Sequence, residues 1–160
     1  MSVDLGHLKT ADLEQLYDAF PLITLLIAGA DGDISDEEVA WAKKIIHIRS
    51  YKMKADLRVF YEEVDNRFET RFNHYRNLMP AGVYERTEAI SERLKELNLI
   101  LSRLNPETGA KIYKGFVSFA DQVAKSEGGV MGFFTISKEE AALVGLPMID
   151  PIFHASEEEE

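Results

Sequence analysis

The chain has 160 residues, contains no cysteine and carries a formal net charge of −10. The lack of cysteine excludes disulfides and thiolate metal ligands, and the acidic balance argues against binding to nucleic acid, which needs clustered Lys and Arg. The longest apolar stretch, residues 20–30, is too short to span a bilayer, which takes about 20 residues. With no signal peptide apparent, we expect a cytoplasmic protein that forms one domain and does not insert into membranes.

The first part of the chain predicts helix as far as residue 30. Thr10 is positioned to cap a first helix, because its hydroxyl can accept a hydrogen bond from a free backbone N–H group. Pro21 is expected to break or restart that helix, since proline is tolerated only in a first turn. Residues 22–30 are apolar all round, which is typical of a central buried helix.

An acidic turn at residues 31–33 separates this helix from the next one. Ser35 and Glu38 fit a capping box, in which the two residues satisfy each other's free backbone N–H groups. The helix that follows has Trp41 and other apolar residues on one face. Basic residues, Arg49 among them, lie toward its end, where positive charge complements the helix dipole.

The middle of the chain predicts two long amphipathic helices, at residues 55–78 and 83–104. Their apolar residues recur at spacings of three and four, as on one face of a helix. Asn105 and Pro106 then fit a cap and a first helical position, so a further helix is expected at about residues 107–125.

One short phrase occurs twice in the chain. Residues 34–40 (ISDEEVA) return as residues 136–142 (ISKEEAA), an offset of 136 − 34 = 102 residues. Ser137 and Glu140 therefore repeat the capping box before a last short helix. Gly145 is well placed as a left-handed cap at the end of that helix.

These patterns predict an all-α fold, a single-domain bundle of about seven helices with two related halves. No stretch shows the sustained alternation of a strand. Residues 1–149 form the predicted helical domain. Residues 150–160 form an acidic tail that ends in a glutamate run and is predicted to be disordered.

The first acidic turn fails the register of a standard calcium loop. When Gly32, Ile34 and Glu38 are aligned with the glycine, the central isoleucine and the last glutamate of an EF-hand, Ile27 and Gly29 fall where the first two carboxylate ligands belong. The simpler interpretation is that the serines and glutamates of the two capping boxes only cap helices.

That interpretation accounts less well for Asp31, Asp33 and Glu127, because they precede the caps. If the two halves pack about a pseudo-twofold axis, these carboxylates, together with Glu37 and Glu139, would form one oxygen-rich patch. Hard cations such as Ca²⁺ or Mg²⁺ prefer such ligands.

Residues 28–38 (AGADGDISDEE), which follow an apolar helix, resemble the signature of the TerB-like family, named after tellurite-resistance proteins. The resemblance implies an all-helical cytoplasmic bacterial protein linked to metal or tellurite stress. It also implies an acidic surface that binds a divalent cation such as Ca²⁺ or Mg²⁺. The metal-binding positions carried over to this chain are Asp31, Asp33, Glu37, Glu127 and Glu140.

No pattern in the sequence indicates an enzyme. The four histidines are scattered, and neither a nucleophile elbow nor a phosphate-binding glycine loop occurs. The alternative function is therefore a helical adaptor that binds a protein partner or a second copy of itself without metal. Its predicted contacts are the apolar residues of a glycine-flanked loop, Val130, Met131, Phe133 and Phe134.

Overall fold

The computed structural model describes residues 5–125 and 138–153, and all regular structure in these ranges is helical, which confirms the predicted all-α bundle. Seven helices follow in order: α1 (Thr10–Ala28), α2 (Asp36–Lys52), α3 (Ala55–Leu78), α4 (Val83–Lys95), α5 (Leu97–Ser102), α6 (Pro106–Ala124) and α7 (Lys138–Leu143). Among these described helices, none is both long and apolar enough to cross a membrane.

Helix α1 is the central element of the bundle. It contacts each of the other six described helices, α2 to α7. From Leu16 to Ala28 almost every side chain is buried, including positions on all sides of the helix. The all-round apolar run in the sequence therefore forms the buried central helix that it predicts.

The expected break at Pro21 is wrong, because α1 continues through this residue without interruption. Proline removes one backbone N–H group and costs about 3 kcal/mol in a helix interior. Burial of the surrounding apolar turns on every side offsets that cost. The Thr24 hydroxyl, itself buried, donates a hydrogen bond of 2.8 Å to the carbonyl of Phe20, four residues earlier in the same helix.

The start of α1 also differs from its prediction. Thr10 is the first helical residue and Lys9 is the N-cap. The backbone N–H of Lys9 donates to Oδ2 of Asp12 at 3.4 Å. The carboxylate in the first turn therefore takes part of the capping role that the sequence assigns to a threonine hydroxyl.

An aromatic cluster joins α1 to its two largest neighbours. Phe20 lies at the centre, with ring centroids of Phe60 and Tyr61 on α3 and of Phe116 and Phe119 on α6 at 5.2 to 6.1 Å, all in edge-to-face geometry. Such pairs add about 0.5–1.5 kcal/mol each to the effect of area burial. The cluster therefore sets how α3 and α6 pack against the central helix.

The remaining helices follow the sequence closely, with two differences. The predicted helix at 83–104 is divided at Glu96, whose backbone stays helical at φ −61° and ψ −23°, so that α4 and α5 follow one another directly. The left-handed residue after α7 is Leu146, with φ of 49°, and not Gly145. The predicted helices at 55–78 and 107–125 correspond to α3 and α6.

A buried ion-pair network connects α1 to α3. Asp18 is only 5% exposed, and its carboxylate accepts hydrogen bonds from Nη2 of Arg71 at 2.9 Å and from the hydroxyl of Tyr75 at 2.7 Å. Arg67 lies 3.5 Å away on its other side. Burial and the bond to Asp18 raise the pKa of Tyr75, so its hydroxyl remains a proton donor.

We expect Asp18→Asn to lower the free energy of unfolding by about 3 kcal/mol, because it leaves Arg71 beside a buried neutral group. Urea unfolding followed by circular dichroism measures the change. The control is Asp33→Asn, at an exposed position, which should stay within about 0.5 kcal/mol of the wild type. Equal effects of the two substitutions would contradict a structural role for the network.

Candidate functional site

The acidic turn between α1 and α2 is present as predicted. Gly32 has φ of 107°, a conformation that strongly favours glycine, and the backbone N–H of Asp33 donates to Oδ1 of Asp31 at 3.3 Å. The N–H of Ser35 donates to the carbonyl of Ala28 at 3.1 Å, which closes the turn onto the end of α1.

The predicted ligands around this turn lie in different environments. Asp31, Asp33 and Glu37 are exposed, whereas Glu140 is buried on α7. Glu127 lies outside the described residues, as do the predicted partner contacts Val130, Met131, Phe133 and Phe134. Within residues 5–125 and 138–153, no group of three or more His, Asp or Glu side chains is arranged to hold a metal ion.

One half of the predicted capping box is confirmed in the first copy of the repeated phrase, whereas the backbone N–H of Ser35 donates to Ala28. The hydroxyl of Ser35 accepts a hydrogen bond of 3.2 Å from the backbone N–H of Glu38. Glu38 and Glu140, which occupy equivalent positions in the two copies, are both buried. Ser137 lies outside the described residues, so the cap of the second copy stays a prediction.

A buried arginine lies beneath the acidic turn and is not evident from the sequence. Nη2 of Arg86 donates to the carbonyl of Gly29 at 2.8 Å, and Nη1 donates to that of Ala81 at 3.1 Å. A Cβ at Gly29 would lie 2.7 Å from Arg86 Nη2, so glycine allows this approach. The guanidinium compensates the negative end of α1, and its charge opposes a divalent cation bound at the same turn.

A large concave surface lies elsewhere, between α2, the start of α3 and α6. This cleft has a volume of about 880 Å³, within the range of small-molecule sites. Its apolar side chains are Trp41, Ile45, Ile48, Met53 and Leu57. Its charged side chains are Arg49, Lys52, Lys54, Lys111, Lys114, Lys125, Asp56 and Glu107. Cations therefore outnumber anions in the cleft, although the whole chain is strongly acidic.

Hydrogen bonds across the cleft, together with the bond from Arg49 to the Gly115 carbonyl, show that α2 and α6, its two long walls, run in opposite directions. Near the start of α2, Nε1 of Trp41 donates to the carbonyl of Gln122 at 2.9 Å. Near the other end, Asp56 at the start of α3 accepts from Nζ of Lys111 at 2.8 Å. The cleft therefore extends along the helices, with Arg49 between these two contacts.

Arg49 is the most unusual residue of the cleft. It is only 7% exposed, and its four terminal N–H groups donate to uncharged oxygens at 2.9 to 3.1 Å. The acceptors are the Tyr61 hydroxyl, the Gly115 carbonyl, the Ser118 hydroxyl and Oε1 of Gln122. Burial raises the pKa of Tyr61, so that its hydroxyl stays neutral. Among the described residues, no carboxylate lies within ion-pair distance of this guanidinium.

Gly115 allows this arrangement. A Cβ at this position would lie 2.5 Å from the Tyr61 hydroxyl and 3.9 Å from Nη1 of Arg49. Glycine in a helix interior costs about 1 kcal/mol relative to alanine. Glycine is nevertheless needed at this position, because the Tyr61 hydroxyl and the Arg49 guanidinium occupy the space beside α6 that a side chain would fill.

The other cations of the cleft differ in how they are compensated. Lys111 pairs with Asp56 at 2.8 Å and with Glu107 at 3.8 Å, and Lys125 pairs with Asp121 at 2.8 Å. Lys52 and Lys114 are exposed, and neither has an ion-pair partner within the described part of the chain. Uncompensated positive charge is therefore concentrated around Arg49.

The sequence interpretation does not identify this cleft. It places Arg49 at a helix end as a partner of the dipole, and it treats Trp41 as a possible core residue. The structure leaves Trp41 37% exposed at the cleft. Two features of the sequence could have indicated the cleft. Arg49 directly follows the apolar Ile48, and Gly115 lies in the middle of an otherwise regular helix.

Comparison with known proteins yields no match from family models, curated proteins or solved structures. The TerB-like resemblance therefore rests on residues 28–38 alone.

The ion pair at one end of the cleft predicts a dependence of stability on pH. The hydrogen bond from Lys111 holds the pKa of Asp56 below its ordinary value of 3.8. A carboxyl with a lowered pKa in the folded state stabilises the fold above its ordinary pKa, and this contribution is lost as the pH falls through the lower value.

Asp56→Asn should therefore lower the free energy of unfolding by about 1 kcal/mol at neutral pH. The difference from the wild type should shrink below about pH 4 and vanish once Asp56 is protonated in both states. Urea unfolding at a series of pH values measures it. A difference that stays constant through the acid range would show that the pair does not titrate as described.

Proposed function

We propose that this protein is a non-enzymatic binding protein that recognises an anionic ligand in the cleft between α2, α3 and α6. The observation that carries the proposal is the buried guanidinium of Arg49, which has only uncharged acceptors among the described residues. A buried charge is costly unless an opposite charge compensates it. An anion in the cleft would supply that compensation.

The cleft also supplies groups that can contact an anion directly. All four terminal N–H groups of Arg49 already donate within the protein, so the guanidinium contributes mainly its electrostatic field. The Nζ groups of Lys52 and Lys114 are exposed donors. The side-chain oxygen of Gln122 accepts from Arg49, and the two N–H groups of the same amide can donate to a ligand.

The chemistry of the cleft favours binding over catalysis. No histidine lines it, and Asp56 is engaged by a lysine that lowers its pKa, which makes it a weak base. This proposal differs from both functions predicted from the sequence, because it needs no metal and its ligand is an anion, whereas the predicted adaptor binds a protein partner or a second copy of the chain. It is carried by described residues of the cleft and not by the predicted loop contacts at residues 130–134.

Trp41 is the only tryptophan in the chain and lines the cleft, so its fluorescence reports binding there. Titration with anilinonaphthalene sulfonate, an aromatic anion, should change this fluorescence. Arg49→Gln should weaken binding about tenfold, or about 1.4 kcal/mol, because it removes the positive field of the guanidinium, and Arg49→Lys should weaken it less, because it keeps the charge. Thermal melts verify that each variant is folded.

A surface variant keeps the test independent of the buried arginine. Lys52→Gln with Lys114→Gln should weaken binding several-fold and reduce its salt dependence. The matched control, Arg76→Gln with Lys95→Gln, removes the same charge from exposed positions that do not line the cleft. Equal binding by the wild type and by both pairs of variants would overturn anion recognition at this site.

The TerB-like function stays a separate prediction. It is the binding of a divalent cation, linked to metal or tellurite stress in a bacterial cytoplasm. Millimolar Ca²⁺ or Mg²⁺ should raise the melting temperature, because a ligand that binds only the folded state stabilises it. Asp31→Asn with Asp33→Asn should remove the shift, and Asp150→Asn, which is exposed elsewhere, should retain it. An unchanged melting temperature of the wild type in metal would end this prediction.

A further inference from the structure

One long wall of the cleft offers apolar surface next to the uncompensated charge. The indole N–H of Trp41 is already used by the Gln122 carbonyl, so the exposed part of the ring that remains is apolar. Ile45 and Ile48 follow on the same face of α2, one and two turns along. From Trp41 to Arg49 the helix rises about 12 Å, which gives an extended alkyl chain room to lie along it.

The charge of the cleft is arranged for one anionic group and not for a row of them. Lys111 and Lys125, toward the two ends, are engaged by carboxylates of the protein. Arg49 and Lys52 lie in the last turn of α2, and Lys114 precedes Gly115, whose carbonyl accepts from Arg49. None of these three has a carboxylate partner in the described ranges. A polyanion along the whole cleft would have to displace the existing pairs, whereas a single head group would not.

From these two features we infer that the ligand is an amphipathic monoanion, with one carboxylate head near Arg49 and an unbranched apolar chain along α2. This is the chemical class of medium- and long-chain fatty acids. The inference rests on the proposed function and adds the identity of the ligand class to it. Charge complementarity selects the head, and the apolar face of α2 accommodates the chain.

The test is a calorimetric titration of the full chain with octanoate, decanoate and dodecanoate, kept below micelle-forming concentrations. Each buried methylene should tighten binding about fourfold. Acetate should bind far more weakly, and dodecylamine should not compete, because it brings a cation to the same charge. Arg49→Gln and the Lys52→Gln, Lys114→Gln pair should weaken dodecanoate binding by the factors they show with the aromatic anion.

A matched pair of variants tests the path of the chain. Ile48→Ser should reduce the gain in affinity per methylene, because it removes apolar wall from the cleft. Val59→Ser, at a position 72% exposed on α3 and outside the cleft, should leave the gain unchanged. Equal gains in both variants would contradict the placement of the chain along α2.

The other outcomes separate this inference from the proposed function. The aromatic anion could bind in a way that depends on Arg49 while the affinity for carboxylates does not depend on alkyl chain length. That result would overturn the inference but not anion recognition in the cleft. Tight binding of tetraglutamate would point to an acidic peptide ligand and overturn the inference as well. If dodecanoate binds only after residues 154–160 are deleted, the occupant of the cleft in the full chain would be the acidic tail and not a fatty acid. Failure of every anion would overturn both proposals.

Discussion

The burial of α1 on all sides is the constraint on which the rest of the structure depends. From Leu16 to Ala28 almost every side chain of this helix is buried, so other helices must surround it, and α1 contacts every other described helix. Each polar group on it then needs a partner inside the protein. Thr24 bonds to the carbonyl of Phe20 in its own helix, and Asp18 is paired with Arg71 and Tyr75 of α3. The same surrounding contacts hold Pro21 within a continuous helix.

The cleft follows from this arrangement of helices. α2 and α6 each pack one face against α1 and a flank against each other. The residues beyond that shared contact form the two walls, with Arg49 of α2 held by acceptors on α3 and α6. The guanidinium is therefore fixed by three helices. A fixed charge of this kind favours an anion without the cost of ordering a flexible side chain.

The two buried arginines of the central region differ in what compensates them. Arg86 donates to the carbonyl of Gly29 at the negative end of α1, so the helix dipole accounts for its charge. Arg49 donates to the carbonyl of Gly115, in the middle of α6, and to neutral side chains. Arg49 also lies in the last turn of its own helix, so the dipole of α2 offsets part of its charge. Unlike Arg86, however, it lines the cleft, where an anion can approach it, and for this reason a ligand is proposed at Arg49 and not at Arg86.

The sequence by itself determined the helical class, the bounds of α3, the Asn105 cap of α6 and the central position of residues 22–28, because spacing and capping are local properties. It also located the acidic turn. Only the tertiary structure decided that Pro21 stays in a helix and that Arg49 is buried beside Gly115, because both depend on neighbours far along the chain. The cleft was not predictable for the same reason: its walls are residues 41–57 and 107–125, brought together only by packing around α1.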